Sequence, residues 1–261
     1  MSVAFIIQNS ESEISKRIES GRINKLIPFL IVLARPAFAI IAQGLMVLLF
    51  IVLKQPSPKY PVTAWWTIYA TIIDIGCLLI LFLLVRREGI RITDLISFNR
   101  QKIRADILLG FGIFIIIFPL AIGFGSNIAS LLVYGSFKPD LPSGSYIRLL
   151  PLWAVLYSRL VWWVIWSVTE ELTYQGYALP RLQLITGRTW VAVLWIGFGW
   201  ALQHSFLPLI NFHHATWLFI TFFPLTIALQ LIYLKYRRLF PLIIAHWGMD
   251  FFSVIFLLKV G

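Results

Sequence analysis

Residues 62–85, VTAWWTIYATIIDIGCLLILFLLV, contain a single charged side chain, Asp74, in twenty-four positions. As a helix this run would rise about 36 Å, enough to cross the roughly 30 Å hydrocarbon core of a bilayer. Comparable apolar runs recur at about 28–53, 105–134, 152–178, 189–207, 214–234 and 239–258. The pattern predicts an all-α fold, a polytopic transmembrane helical bundle of about seven helices, six to eight allowing for tilted or interfacial segments. Pro119 is the expected kink in the third run.

Composition agrees. Hydrophobic residues make up 59% of the 261 positions and charged residues 13%, outside the range of a soluble domain. The formal charge of +11 would suit a nucleic-acid partner, but the cations lie between apolar runs rather than on one polar face, so nucleic acid is excluded as a partner. The single cysteine, Cys77, forms no intramolecular disulfide and reads as a small buried side chain. The first 27 residues are polar and mixed in charge, without the apolar core and small-residue cleavage site of a signal peptide. They are expected to form a cytoplasmic amino-terminal segment, with 28–261 a single transmembrane domain.

With that terminus inside, fifteen of the twenty-two Lys and Arg residues fall on the inner side and five on the outer, a strong positive-inside bias. A multi-pass protein of the plasma (inner) membrane is the localisation expected. Tyr60, Trp65, Trp66 and Trp153 lie near span ends, as interfacial aromatics do. The basic connector at about 86–104 is placed along anionic headgroups.

An ionisable group at mid-bilayer costs about 3 kcal/mol or more, so each one inside a span asks for a function. They are Arg35, Asp74, Arg159, Glu170, Glu171, His204, His246 and Asp250. Arg35 and Asp74, of opposite sign on successive spans, are read as a structural ion pair. Arg159 is too far along its helix to meet Glu170 and is free to reach the outer surface. Adjacent carboxylates in an apolar helix repel, and one of the pair Glu170 and Glu171 suits a general base. His246 and Asp250, four apart, share a helix face. His213 and His214 fall in an expected outer loop and are read as solvated.

Depth gives an internal test. Counted at about 1.5 Å per residue from Arg181 and Arg238 as cytoplasmic edges, Glu170 and His246 come out at compatible depths. His204, counted from Arg188, comes out at about 24 Å, too deep to meet them unless its helix begins inside the membrane or is strongly tilted.

These residues resemble the three signatures of the CAAX protease and bacteriocin-processing (abortive-infection) family of intramembrane proteases: E-E-x-x-x-R, F-x-x-x-H and H-x-x-x-N/D. The sequence supplies Glu170-Glu171-x-x-x-Gln175, Trp200-x-x-x-His204 and His246-x-x-x-Asp250 in the family's order, over about 150–255. Gln175 stands in place of the Arg, so a cation that would steady a neighbouring carboxylate is expected to be lacking. Trp200 in place of Phe keeps an aromatic plug.

The resemblance implies an intramembrane endopeptidase acting on a membrane-associated protein or peptide substrate. Glu170 with His204 would activate water, His246 and Asp250 would orient substrate or stabilise the oxyanion, and Glu171 would be a supporting, proton-sharing partner. It implies no cofactor. The residues alone also permit Zn²⁺ held by Glu170, His204 and His246. A cytoplasm-facing cavity between the last four helices is the architecture implied. Two other classes compete: a non-catalytic immunity or scaffold factor on the same fold, and a proton-coupled transporter, which would need inverted repeats that the sequence lacks.

Overall fold

The computed structural model describes residues 9–55, 59–139 and 148–260; the first eight residues of the amino-terminal segment and the side chain of Tyr60 lie outside them. Among the described residues nine helical segments form one bundle: α1 (Glu11–Glu19), α2 (Ile27–Val52), α3 (Lys59–Ala64), α4 (Trp66–Glu88), α5 (Arg100–Tyr134), α6 (Leu152–Thr186), α7 (Thr189–Ser205), α8 (Phe212–Tyr236) and α9 (Phe240–Leu257). Six of them, α2, α4, α5, α6, α8 and α9, are long and apolar enough to cross a membrane. The chain is an integral membrane protein. At 17 residues, α7 is the shortest of the seven expected spans. Lipid rather than water is the solvent its surface suits: Leu48, Leu79, Leu83, Leu108, Ile115 and Leu132 all face outward, where a soluble fold would bury them.

Local chemistry sets the helix ends. α4 stops at Gly89, whose φ of +77° provides the left-handed cap that side chains resist. α6 stops the same way at Gly187. Backbone polar groups left over inside the bundle find side-chain partners, as an apolar surrounding demands. Pro180 has no N–H to offer the Gly176 carbonyl four residues back, and the Asn9 side chain donates to that carbonyl at 2.9 Å. The half-buried Arg159 guanidinium donates to the Leu258 carbonyl at 2.6 Å and the Ile255 carbonyl at 3.3 Å, closing the carboxy-terminal end of α9. Residues Arg148–Leu150 pair in parallel with Leu258–Val260 at the same end. The expected break at Pro119 appears as a π-helical stretch, Pro119–Phe124.

Two more π-helical stretches interrupt α6, at Ser158–Trp162 and Leu172–Ala178. The second directly follows Glu171, so the face relations of a regular helix no longer hold beyond it.

In the packing, α7 lies against α8, α2 and α6, and α9 lies against α5 and α6. The approach of α2 to α7 is close because Gly199 has no side chain. A Cβ there would sit 2.8 Å from the Val32 carbonyl oxygen, which lost its own helical partner to Pro36 four residues on. One turn further along each helix, Arg35 meets Gln203.

Arg181 is not an edge marker. It is fully buried and pairs with Glu88 at 2.5 Å, and α6 continues to Thr186. Glu170 therefore lies sixteen residues from the end of α6 and His204 sixteen residues beyond Arg188, about 24 Å in each case. The depth mismatch disappears. Arg238 is likewise drawn inward, onto Asp106.

Candidate active site

The site is assembled on α6, α7 and α9, with Arg35 reaching it from α2. Its centre is His246. The imidazole Nδ1 is 3.1 Å from Glu171 Oε1, while Nε2 is 3.3 Å from Glu170 Oε2 and 3.6 Å from Asp250 Oδ2. Glu170 and Glu171 thus approach opposite sides of one ring, as the divergence of about 100° between adjacent helical residues permits. Asp250 is held in turn by the Ser167 hydroxyl, which donates to Oδ2 at 2.6 Å.

Glu170 is fully buried, and both its oxygens are engaged. Trp200 Nε1 donates to Oε2 at 2.8 Å, and Gln203 Nε2 donates to Oε1. The Gln203 carbonyl oxygen accepts from Arg35 Nε at 2.6 Å and from the Tyr174 hydroxyl at 3.0 Å. Its amide orientation follows: the oxygen must face two donors and the nitrogen the carboxylate.

Arg35 and Asp74 do pair, at 3.1 Å, but the pair is not isolated between two helices. The Arg35 guanidinium also stands 3.6 Å from Glu170 Oε1 and 4.3 Å above the Trp166 ring. The cation expected to be lacking beside the glutamates is present, from a different helix. Gln175 itself is fully buried, and neither amide atom has a hydrogen-bond partner among the described residues.

His204 joins the cluster from α7. It lines the same cavity as His246, its ring stacks on Phe222 at 3.9 Å, and its Nδ1 is 2.9 Å from the Trp200 carbonyl. A carbonyl only accepts, so Nδ1 carries the hydrogen and Nε2 of the neutral ring keeps its lone pair.

A cavity of about 350 Å³ adjoins these groups, with Trp66, Trp162, Trp166, Trp200, Trp217 and Phe222 among its walls. His204, His246 and Asp250 line it; Glu170 and Glu171 are not on its wall. The lining also sets the direction of the cavity. The cavity takes its lining from the first part of α8, including His214 and Trp217, and from the last part of α9, including Ser253 and Leu257. It therefore extends toward the turn joining α7 to α8, the end opposite the basic loops. His214 is not solvated: it is buried, stacked on Trp217 and part of this wall, whereas His213 is exposed.

Among the described residues no group of three or more His, Cys, Asp or Glu side chains is disposed to hold a metal ion. Sequence reasoning singled out all five acidic and imidazole groups, but passed over Gln203, Ser167 and Tyr174. The one signal for Gln203 was an amide beside His204 in an apolar helix. Its importance rests on contacts across helices.

Residues 151–252 match the model of a family described as type II CAAX prenyl endopeptidase Rce1-like. Comparison with curated proteins and with solved structures gives no match. The matched stretch contains Glu170, Glu171, His204, His246 and Asp250, and over that stretch the chain is similar to the CAAX prenyl endopeptidases.

Proposed function

We propose that the protein is an intramembrane endopeptidase that hydrolyses a peptide bond of a membrane-associated protein or peptide, using Glu/His chemistry without a metal. The observation that carries this reading is the convergence of Glu170, Glu171 and Asp250 on His246, beside a cavity that His246 shares with His204.

Water enters from the cavity, where His204 presents Nε2 with a free lone pair and His246 presents its ring. Glu170 is the general base behind them, and a water reaching it passes His246 and Trp200 on the wall. The proton leaves the water toward Glu170, assisted by His204, and the oxygen attacks the carbonyl carbon. An N–H of His246 is suited to the oxyanion that forms. Glu171, bonded to Nδ1, fixes the orientation of that ring, as a carboxylate does for a catalytic imidazole. Asp250 as a carboxylate only accepts hydrogen bonds, which suits it to hold a substrate N–H rather than an oxyanion. The C–N bond then breaks and the proton passes to the departing amine. The tryptophan-lined cavity suits an apolar segment unwound enough to expose its carbonyls.

The experiment is cleavage of a pool of membrane-anchored and carboxy-terminal-tail peptides by protein purified in detergent. Glu170→Ala, His204→Ala and His246→Ala are run beside wild type, with and without a strong chelator, and products are read by mass spectrometry. Cleavage by wild type that each substitution abolishes and the chelator spares is the expected result. The competing reading is a non-catalytic member of the same fold, and the full engagement of Glu170 away from the cavity wall favours it. It predicts no cut peptide, and variants that still complement a deletion strain.

A further inference from the structure

We infer that Arg35, on α2 and outside the family-matched segment, is the positioning residue that fixes the Glu170 carboxylate; the inference rests on the endopeptidase reading and extends it. An ion pair with Asp74 alone would account for a buried arginine, but the contacts are distributed otherwise. The shortest bond Arg35 makes is to Gln203, at 2.6 Å, against 3.1 Å to Asp74. Gln203 passes that constraint to Glu170, because its oxygen is occupied by Arg35 and Tyr174 and only its nitrogen is left for the carboxylate. The same guanidinium adds a permanent charge 3.6 Å from Glu170 Oε1, in surroundings with little solvent screening.

Glu170 is thereby held on two sides. Trp200 takes Oε2, the oxygen 3.3 Å from His246, and the Arg35–Gln203 arm takes Oε1. Gln175, with no hydrogen-bond partner for either amide atom among the described residues, supplies nothing comparable. Arg35 itself is fully buried and does not line the cavity, so it does not touch a substrate there and acts through the groups it holds.

Asp74 acts on Arg35 alone among the contacts of this network, and this makes the structural account separable. The test uses the full chain in detergent with Arg35→Gln/Asp74→Asn, which removes both ends of the ion pair and leaves neither charge buried alone. Arg35→Lys and Asp74→Asn are run beside it on whichever peptides of the pool wild type cleaves. A positioning role predicts that kcat of the double variant falls about 100-fold, the usual consequence of a misplaced catalytic group, with KM little changed. Arg35→Lys, which restores the charge without the fork, recovers part of that loss, and Asp74→Asn stays near wild type. A double variant that cleaves at close to the wild-type rate overturns the inference, as does an Asp74→Asn loss equal to that of the double variant.

A second readout is independent of catalysis. The chain has four histidines, and isotope-labelled imidazole nitrogens report the surroundings of His246 beside Glu170. Those resonances move in the double variant if Arg35 fixes Glu170, and resonances identical to wild type overturn the inference. If wild type cuts no peptide at all, the endopeptidase reading fails on its own, and the imidazole spectra still decide for or against Arg35.

Discussion

Replacing Gly199 by alanine is the most direct probe of how the bundle holds its site. The added methyl would stand 2.8 Å from the Val32 carbonyl oxygen and press on the Val32 side chain as well, whereas ordinary contact begins at 3.4 Å. The obstruction is backbone, so α2 has to retreat from α7 by about 0.6 Å. Carried one turn along α2, that retreat stretches the 2.6 Å bond from Arg35 to Gln203 and the 3.6 Å separation from Glu170 by a similar amount. Two effects oppose each other. Alanine in a helix interior is better than glycine by about 1 kcal/mol, and overpacking costs about 1–3 kcal/mol. Overpacking wins, and a net loss of up to about 2 kcal/mol is expected. Gly44 and Gly112 are the controls, because a Cβ at either meets nothing within 4 Å, so alanine there is neutral to stabilising. Reversible unfolding in mixed detergent micelles, compared across the three variants, measures the difference. Peptide cleavage by Gly199→Ala should fall about tenfold or more, given that a 1 Å misplacement costs roughly 100-fold. A Gly199→Ala protein as stable as Gly44→Ala, with undiminished cleavage, would refute the claim that this helix approach sets the geometry.

Other outcomes follow from single contacts. Trp200→Phe keeps a ring against Tyr174 but removes the N–H that bonds Glu170; a hydrogen bond to a charged group is worth about 1.5–3 kcal/mol, and the unfolding midpoint should fall accordingly. Arg181→Met removes both guanidinium bonds to Glu88 but leaves Arg17 3.4 Å from that carboxylate, and should lower stability by about 1.5–3 kcal/mol, read from the unfolding midpoint. Gln175→Leu removes two buried amide atoms without partners and should stabilise by about 1–3 kcal/mol; a destabilised variant would mean that the amide is satisfied in the folded protein. Glu171→Gln leaves an amide against His246 Nδ1 and should lower kcat about tenfold or more while leaving KM unchanged, which steady-state kinetics on a cleaved peptide would check.

Much of this molecule is legible without coordinates because the bilayer leaves a chain few options. Lipid supplies no hydrogen bonds, so an apolar run of spanning length must close its backbone bonds within itself. The runs at 28–53 and 62–85 announced α2 and α4, and the cost of a buried charge marked Arg35, Asp74, Glu170, Glu171, His204, His246 and Asp250 before any packing was visible. Spacing went further for His246 and Asp250, whose shared face is a property of one helix.

What spacing cannot carry is a partner on another helix. Arg181 was misread as an edge because charge normally avoids the interior, and nothing in its own helix reveals Glu88, ninety-three residues earlier. His214 was taken as solvated because the start of α8 resembles a loop end, yet the neighbouring helices cover it. The direction of the cavity was set by where neighbouring helices leave space, a volume that no single segment encodes.

The solvent, the helical spans and the set of polar groups that had to be satisfied inside them are written in the chain itself, since each follows from local composition and from the cost of burying charge. Which groups satisfy which is settled by helix packing. Arg35 reaches past Asp74 to Gln203 and Glu170, and both glutamates close on His246, because Gly199 and the freed Val32 carbonyl bring α2 against α7 while the packing of α9 on α6 brings His246 to the carboxylates. Those meetings depend on helix approach and rotation, which are fixed by the fit of whole faces rather than by any residue's neighbours in the chain.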